Sequence, residues 1–274
     1  MKLRYALPAL ACCLLLAGCG SRTEAEAREF TLAEQGAYMF SDGVSVDRWR
    51  LWHWGNDYYR LPDGTDLLWV REPMGPENVV NGQENVRDLN ETARDAVLAW
   101  FEDRGLLYDV ERELERAYAL YLACLESGET YQNGRVEQTI STASSNERII
   151  CFRTSLTLPL DEPGVVEEIQ LGTVFDRTTG EEISVWDLFT IPQAEARAWV
   201  AEQASGGDAA LRREMEAALE PEWIILEPGG LWVYFPQGAL PGQETACGWF
   251  EEYEKAPGTV LQPWAIPETG EEAG

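Results

Sequence analysis

The stretch from Leu171 to Phe189, LGTVFDRTTGEEISVWDLF, constrains the fold of this chain more than any other. Val174 and Phe175 end an apolar run, and residues 176–180 supply turn chemistry with a glycine that accepts a positive φ. Apolar residues resume at Ile183, so the sequence predicts a strand, a tight turn and a second strand that leads into a helix start. A hairpin of this kind must pack its apolar side chains against the rest of a sheet.

The composition is that of a folded and strongly acidic protein. The chain has 274 residues, of which 45% are hydrophobic, so it can bury a substantial core. Its formal net charge is −27, and its lysines are confined to Lys2 and Lys255. Because no basic stripe can neutralise phosphates, we expect neither nucleic acid nor anionic lipid headgroups as partners. The acidity fits either solubility outside the cell or attraction of a cationic ligand.

The N-terminus predicts a bacterial lipoprotein. Lys2 and Arg4 precede an apolar segment, Ala6 to Leu16, that is too short to span a bilayer, and the sequence Leu-Ala-Gly-Cys then ends at Cys19. A lipid-carrying thiol is required at the residue after the cut, so we predict a signal peptide at residues 1–18 and lipidation of Cys19. The alternative is an ordinary secretory peptide with an incidental cysteine. We expect the chain on the extracytoplasmic face of the cell membrane, anchored by its lipid.

Hydrophobic periodicity predicts an α+β fold with antiparallel sheets and packed helices. Predicted helices begin at Gln83 with a stop at Gly105, and span 108–126, 192–205 and 208–220. The predicted strands are 46–54, 58–61, 67–70, 135–143, 148–158, 165–176, 223–226, 231–235 and 249–253. We divide the chain into a lipidated cysteine and tether (19–45), an N-terminal α+β part (46–160), a C-terminal α+β part (161–256) and a flexible tail (257–274).

Alternation along the predicted strand 148–158 indicates a single core face. The even-numbered residues are the more apolar set, and we expect that set to face the core. They are Ile150, Phe152, Thr154, Leu156 and Leu158.

No residue pattern predicts catalysis, a metal ion or a cofactor. The sole histidine, His53, lies in a predicted strand without a nucleophile motif beside it. With 48 acidic residues, some carboxylate pair always meets the spacing for glycoside hydrolysis, and Glu167 and Glu168 point to opposite faces if the strand is extended. The segment from Asp161 to Gly164 lacks the ligand series of an EF-hand. We therefore expect a protein that is not an enzyme.

Three cysteines remain after the predicted processing: Cys124, Cys151 and Cys247. One disulfide with one buried thiol fits an oxidising exterior, and so do three buried thiols. Their wide spacing does not fit a zinc site.

Aromatic residues cluster around one predicted turn. Trp52, Trp54, Tyr58 and Tyr59 flank Gly55-Asn56-Asp57 and form our candidate ligand-binding set. The alternative is that these rings fill the core between sheet and helices.

The motif around Phe175 resembles one family of extracellular domains. Phe175-Asp176, followed by Thr179-Gly180-Glu181-Glu182-Ile183 and by Asp187-Leu188-Phe189, resembles the C-terminal domain of RsiV-type anti-sigma factors and PdaC-type polysaccharide deacetylases, known as DUF3298. The segment from Pro76 to Asn90 resembles the companion domain, DUF4163, and the order of elements from Trp223 to Tyr253 extends the likeness. The resemblance implies an α+β fold at the cell envelope.

The resemblance also implies a function, with departures. RsiV-type domains bind lysozyme, so we expect a non-catalytic protein that binds a lysozyme-like cationic protein or a cell-wall glycan. The alternative is a peptidoglycan-acting enzyme or an accessory subunit of a polysaccharide deacetylase. The sequence has no sigma-binding segment and no deacetylase domain, and Pro163 to Val166 lacks a histidine that family members carry. Paired carboxylates with opposed pKa shifts in a deep cleft favour the enzyme, whereas a broad acidic face favours binding.

Overall fold

The computed structural model describes residues 32–51, 55–78 and 84–267. The chain forms two compact units, which meet in sequence at Asp66 and Leu67. The boundary that we predicted at residue 160 lies between two strands that pair along their whole length in one sheet. Four residues that the sequence analysis discussed lie outside the described ranges: Cys19, Trp52, His53 and Trp54.

The first unit contains an antiparallel meander. Its strands are β1 (Leu32–Met39), β2 (Ser45–Leu51) and β3 (Asn56–Arg60). The pairing of β1 with β2 shifts register at Gly36, whose φ of 136° is one that other residues rarely adopt. On β3, the Asp57 carboxylate is buried and accepts from Arg48 at 2.5 Å and from Arg50 at 2.8 Å. Two cations from the neighbouring strand therefore compensate one buried charge.

The second unit is built on a sheet whose strands follow in chain order. The strands are β4 (Asp66–Arg71), β5 (Gly134–Ser145), β6 (Ile149–Pro159), β7 (Val166–Asp176) and β8 (Glu182–Ile183). The predicted α+β class with antiparallel sheets is confirmed, with one exception: β4 and β5 run parallel. Helices α1 (Glu91–Arg104) and α2 (Val110–Ser127) form the connection that a parallel pair requires.

The C-terminal half adds two helices and a smaller sheet. Helices α3 (Gln193–Ala204) and α4 (Ala209–Ala218) precede a sheet of β9 (Ile224–Glu227), β10 (Gly230–Phe235) and β11 (Cys247–Glu252), with β10 in the middle. The predicted flexible tail is instead structured as far as Pro267. It forms a one-turn helix, α5 (Pro257–Val260), and buries Leu261 and Ala265 in the core.

Strand β6 is buried on both faces, so our prediction of a single core face was wrong. Ile150 and Phe152 pack in one cluster with Val97 and Phe101 of α1. Ile149 and Cys151, on the opposite face, pack in a second cluster with residues of α3, α4, β9 and β10. The small sheet lies more than sixty positions along the chain, so alternation within β6 could not reveal that it covers the second face.

Helix α1 begins later than predicted. Its N-cap is Asn90, whose side chain accepts from the Ala93 N–H at 3.0 Å. Val86 fits the helical spacing but lies in a separate 3-10 turn that Asn85 caps. The periodic segment therefore contains two separately capped elements, whereas we predicted one helix. The second strand of the predicted hairpin is likewise only two residues long, because residues 185–188 form another 3-10 turn.

The turn between β7 and β8 is fixed by three contacts. The Asp176 carboxylate accepts from the N–H groups of Thr178 and Thr179 at 2.8 and 2.9 Å. Burial alone would raise the pKa of Asp176, but these hydrogen bonds hold it below its ordinary value. The Asn90 amide donates to the Thr178 carbonyl at 2.9 Å. Gly180, at φ 74°, lies against the first turn of α1.

Gly180→Ala is expected to destabilise the second unit by about 2 kcal/mol or more. A Cβ there would overlap the Ala93 carbonyl and lie 2.8 Å from the Ala96 Cβ, in a conformation that L residues rarely adopt. Gly207→Ala is the matched control: φ is 90°, but nothing lies within 4 Å of the added carbon. Urea denaturation measures the free energy of unfolding of both variants. Equal losses in the two would contradict a role for the contact between Gly180 and α1.

Candidate functional site

A groove of about 1120 Å³ lies in the second unit, where the β6–β7 hairpin meets α2 and the small sheet. We call it the acidic groove. Its charged residues are Arg116, Asp161, Glu162, Glu167, Glu168 and Glu244, and its walls include Val165 and Tyr234. Five carboxylates and one guanidinium thus line the groove.

The hairpin turn places four of these carboxylates. Pro159 pairs with Val166, and the Leu160 N–H donates to the Val165 carbonyl at 3.0 Å, so the chain reverses tightly here. Gly164, at φ 75°, allows the reversal. Glu167 and Glu168 follow on β7, and both line the groove although successive side chains of a strand alternate. The groove therefore wraps around the end of β7, which the alternation argument did not anticipate.

Arg116 of α2 neutralises only part of this charge. Its guanidinium donates to Asp161 at 2.5 Å and lies 4.0 Å from the buried Glu113. The hydrogen bond from Arg116 lowers the pKa of Asp161, which stays ionised. Glu168 lies 3.9 Å from Arg135, a weak exposed contact. Glu162 and Glu244 are exposed, so the groove keeps a negative surplus.

Glu167 is the one carboxyl of the groove whose pKa is shown to be raised. Its pKa is raised because burial disfavours the charged form, and the positive charge of Arg116 offsets this only in part. A cation placed beside Glu167 would favour the ionised form and reverse the shift.

Tyr234 closes one wall of the groove. The residue is 7% exposed, and its hydroxyl donates to the main-chain carbonyl of Glu168. Burial, together with the charges of Glu167 and Glu168, raises the pKa of Tyr234 to about 12. The hydroxyl therefore stays protonated and acts as a donor.

The two described members of the predicted aromatic set lie on β3, in the first unit. Tyr59 is 8% exposed, and burial is the main reason that its pKa is raised. Tyr58 is half-buried. Tyr59 therefore fills the core, as the alternative interpretation held, while the binding role of Trp52 and Trp54 stays a prediction.

Cys124, Cys151 and Cys247 are free thiols, so no disulfide joins them, but only Cys124 and Cys151 are buried as the second alternative held. Burial raises the pKa of Cys151 to about 12, so this thiol is unreactive at neutral pH. Cys247 is half-buried, and its pKa is raised for the same reason.

Across residues 32–51, 55–78 and 84–267, no three side chains of histidine, cysteine, aspartate or glutamate come together as a metal site would need. In the same ranges, no helix has the length and apolar character that crossing a bilayer requires.

The sequence carried part of the signal for this groove. From the sequence, we considered Asp161 to Gly164 only as a calcium loop and the Glu167-Glu168 pair only as a catalytic pair. Arg116 comes from a helix before the hairpin and Glu244 from a loop long after it. Only the tertiary fold brings these segments together.

Comparison with known proteins finds similarity in structure only. No family model matches the chain, and no curated protein matches it. A DUF3298 family protein of Pseudomonas aeruginosa PAO1 matches with a TM-score of 0.35 and 14% identity, over 73% of this chain and 87% of that one. A DUF3298 family member of Bacteroides fragilis matches with a TM-score of 0.44 and 10% identity, over 85% and 92%. Both solved structures are of the family that the Phe175 motif resembles.

Proposed function

We propose that this chain is a non-catalytic binding protein that takes a cationic protein, such as a lysozyme, into the acidic groove. The observation that carries the proposal is the groove itself, which is lined by five carboxylates and only one guanidinium. Positive side chains of a ligand would meet uncompensated charge at short range there. Complementary charge of this kind speeds encounter and selects the partner.

The sequence supports an envelope location for this activity. The Leu-Ala-Gly-Cys sequence that ends at Cys19 is what a lipoprotein peptidase needs, and a lipid on Cys19 would hold the protein at the extracytoplasmic face of the membrane. Net charge of −27 keeps an exposed protein soluble and attracts cations at long range. Cationic wall-degrading enzymes are met in that compartment.

A cell-wall glycan is the other ligand to be tested. Neutral sugar rings bind chiefly by stacking on aromatic faces and by hydrogen bonds, for which the acidic groove offers Tyr234, whose hydroxyl is already occupied. Val165 is 41% exposed and adds a small apolar contact. The lining therefore suits lysine and arginine side chains, with their apolar stems and charged ends, better than it suits sugars.

Equilibrium binding to hen egg-white lysozyme, and separately to peptidoglycan fragments, tests the proposal. We expect saturable lysozyme binding that weakens steeply between low salt and about 0.15 M, where the screening length falls to about 8 Å. We expect the fragments to bind weakly and with little salt dependence. Absence of lysozyme binding at low salt would contradict the proposal.

As the pH decreases, lysozyme affinity is expected to begin to fall at a higher pH than it would if every glutamate had its ordinary pKa. A cationic ligand favours ionised Glu167, whose raised pKa means that it protonates first as the pH drops. Affinity is therefore full at pH values above the pKa of Glu167 and is lost as the pH falls through it, while Asp161, whose pKa is lowered, remains charged at that pH. Arg116 and Tyr234, which also line the groove, have raised pKa values and do not titrate in this range.

The control for this profile is Glu167→Gln. Its lysozyme affinity should be lower throughout, and its decline should begin at a lower pH than that of the wild type. Identical pH profiles for the two proteins would show that Glu167 does not contact the cationic ligand.

One observation favours the alternative of a peptidoglycan-acting enzyme. Asp161 and Glu167 have pKa values shifted in opposite directions within one groove, as acid and base pairs do. However, the Asp161 side chain is 81% exposed and is held by Arg116, whereas a catalytic carboxylate requires a desolvated cleft. Incubation with purified peptidoglycan distinguishes the two: release of reducing ends or of acetate that Glu167→Gln abolishes would establish an enzyme.

A further inference from the structure

Strand β7 leaves part of its outer edge unpaired. It pairs with β6 from Val166 to Asp176, but on its other side β8 pairs only with Val174 and Phe175. No other described strand pairs with this edge, because β8 ends the sheet. The segment 166–173 is therefore a free edge in the described part of the chain.

The register identifies the backbone groups that point outward. The Asp176 N–H donates to the Glu181 carbonyl at 2.9 Å, and the Asp176 carbonyl accepts from the Gly180 N–H at 2.8 Å, both on the side away from β6. Pairing with β6 is unbroken by any bulge along β7. Since the direction alternates with each residue, the backbone groups of Glu168, Gln170 and Gly172 also point away from β6.

Most of these outward groups have no partner among the described residues. Tyr234 donates to the Glu168 carbonyl, but no other described segment donates to or accepts from the main chain of Gln170 or Gly172. Natural sheets usually cover such an edge or interrupt it, because it is a template for another strand.

Open space lies beside both ends of the edge. The acidic groove borders Val166, Glu167 and Glu168 at one end. A second groove, of about 360 Å³, borders Gly172 to Val174 at the other, between β8 and the Pro221–Ile224 segment. Position 172 needs a glycine because a Cβ there would lie 2.6 Å from the Ile224 carbonyl. That contact is on the face of the sheet, so it does not cover the edge of β7.

We propose that an extended, basic segment of the ligand adds as a strand to the edge of β7 at Glu168–Gly172, with its cationic side chains in the acidic groove. This inference rests on the proposed function and gives it a mode of binding. Main-chain hydrogen bonds to the edge supply affinity for any extended backbone, and the flanking carboxylates select a basic one. Charge complementarity excludes a second copy of this chain, since two edges bearing Glu167 and Glu168 repel each other.

The probe is a capped peptide of alternating lysine and valine, compared with the same peptide N-methylated at alternate residues on its pairing side. Both carry identical charge, but the second cannot donate to a strand edge. We expect wild-type protein to bind the unmodified peptide about tenfold or more tighter than the N-methylated one. We also expect the peptide to slow hydrogen exchange of the Gln170 and Gly172 amides, which exchange faster than those of Ile169 and Leu171 in the free protein.

A variant of the edge completes the test. Gln170→Pro removes one outward N–H and leaves the β6 ladder intact, so peptide affinity should fall about tenfold, whereas Gln170→Ala should bind as the wild type does. If Gln170→Pro lowers the stability of the protein, the comparison of the two peptides on wild-type protein still tests strand addition. Equal, salt-sensitive binding of both peptides would overturn strand addition and leave the proposed function standing. Binding of neither peptide would contradict both.

Discussion

Replacing Glu167, Glu168 and Glu244 together by glutamine is expected to weaken lysozyme binding about a hundredfold. Each exposed carboxylate–cation pair contributes up to about 1 kcal/mol, and the three sum to about 3 kcal/mol, or roughly two orders of magnitude in Kd. These three residues line one groove, so the substitution removes most of its negative surplus without changing the size of any side chain. Titration calorimetry at low salt measures the effect.

The matched control is Glu147→Gln, Glu195→Gln and Glu214→Gln in one chain. These three carboxylates are exposed and lie outside the groove, and their loss changes the net charge by the same amount. Lysozyme affinity should fall severalfold at most, because long-range attraction alone is reduced. Equal losses in the two triple variants would mean that lysozyme responds to overall charge and that the groove is not its site.

Phe175→Ala is expected to cause the largest loss of stability, about 3–5 kcal/mol. The ring is fully buried, and its centroid lies 5.3 Å from Trp100, 5.8 Å from Phe101 and 6.0 Å from Phe152. Truncation opens a cavity between α1 and the sheet and removes three aromatic contacts at once. Urea denaturation, followed by tryptophan fluorescence, measures the free energy of unfolding.

Phe250→Ala provides the comparison for that loss. Phe250 lies on β11, is 45% exposed and contacts Trp232 at a centroid distance of 6.2 Å. Its truncation should lower the free energy of unfolding by about 1 kcal/mol or less. A loss at Phe175 no larger than the loss at Phe250 would contradict the described packing of α1 on the sheet.

Local chemistry made much of the fold predictable. The turn after Phe175 was read from Asp176 and Gly180, and the structure adds the physical reason: the carboxylate bonds two N–H groups and the glycine packs against Ala93. Helix ends at Gly105 and Gly128 follow from glycines with positive φ at the C-caps. Turns and helix ends depend on residues that are close in sequence, so they can be predicted from the sequence.

Features that depend on distant segments were missed. Cys151 and Ile149 are buried by a sheet that begins at Ile224, and Leu261 is buried in a tail whose composition suggested disorder. The acidic groove has the same origin, since Arg116 and Glu244 meet the β6–β7 hairpin only in the folded chain. A surplus of carboxylates is visible in the sequence, but the place where they converge is not.

Zero-length cross-linking of the lysozyme complex with a carbodiimide tests the central claim most directly. The reagent joins a carboxylate to a lysine amine only where the two are in contact, and mass spectrometry then identifies the linked residues. We predict links from lysozyme lysines to Glu162, Glu167, Glu168 or Glu244. Links confined to carboxylates outside the acidic groove, such as Glu195 and Glu214, would contradict the account.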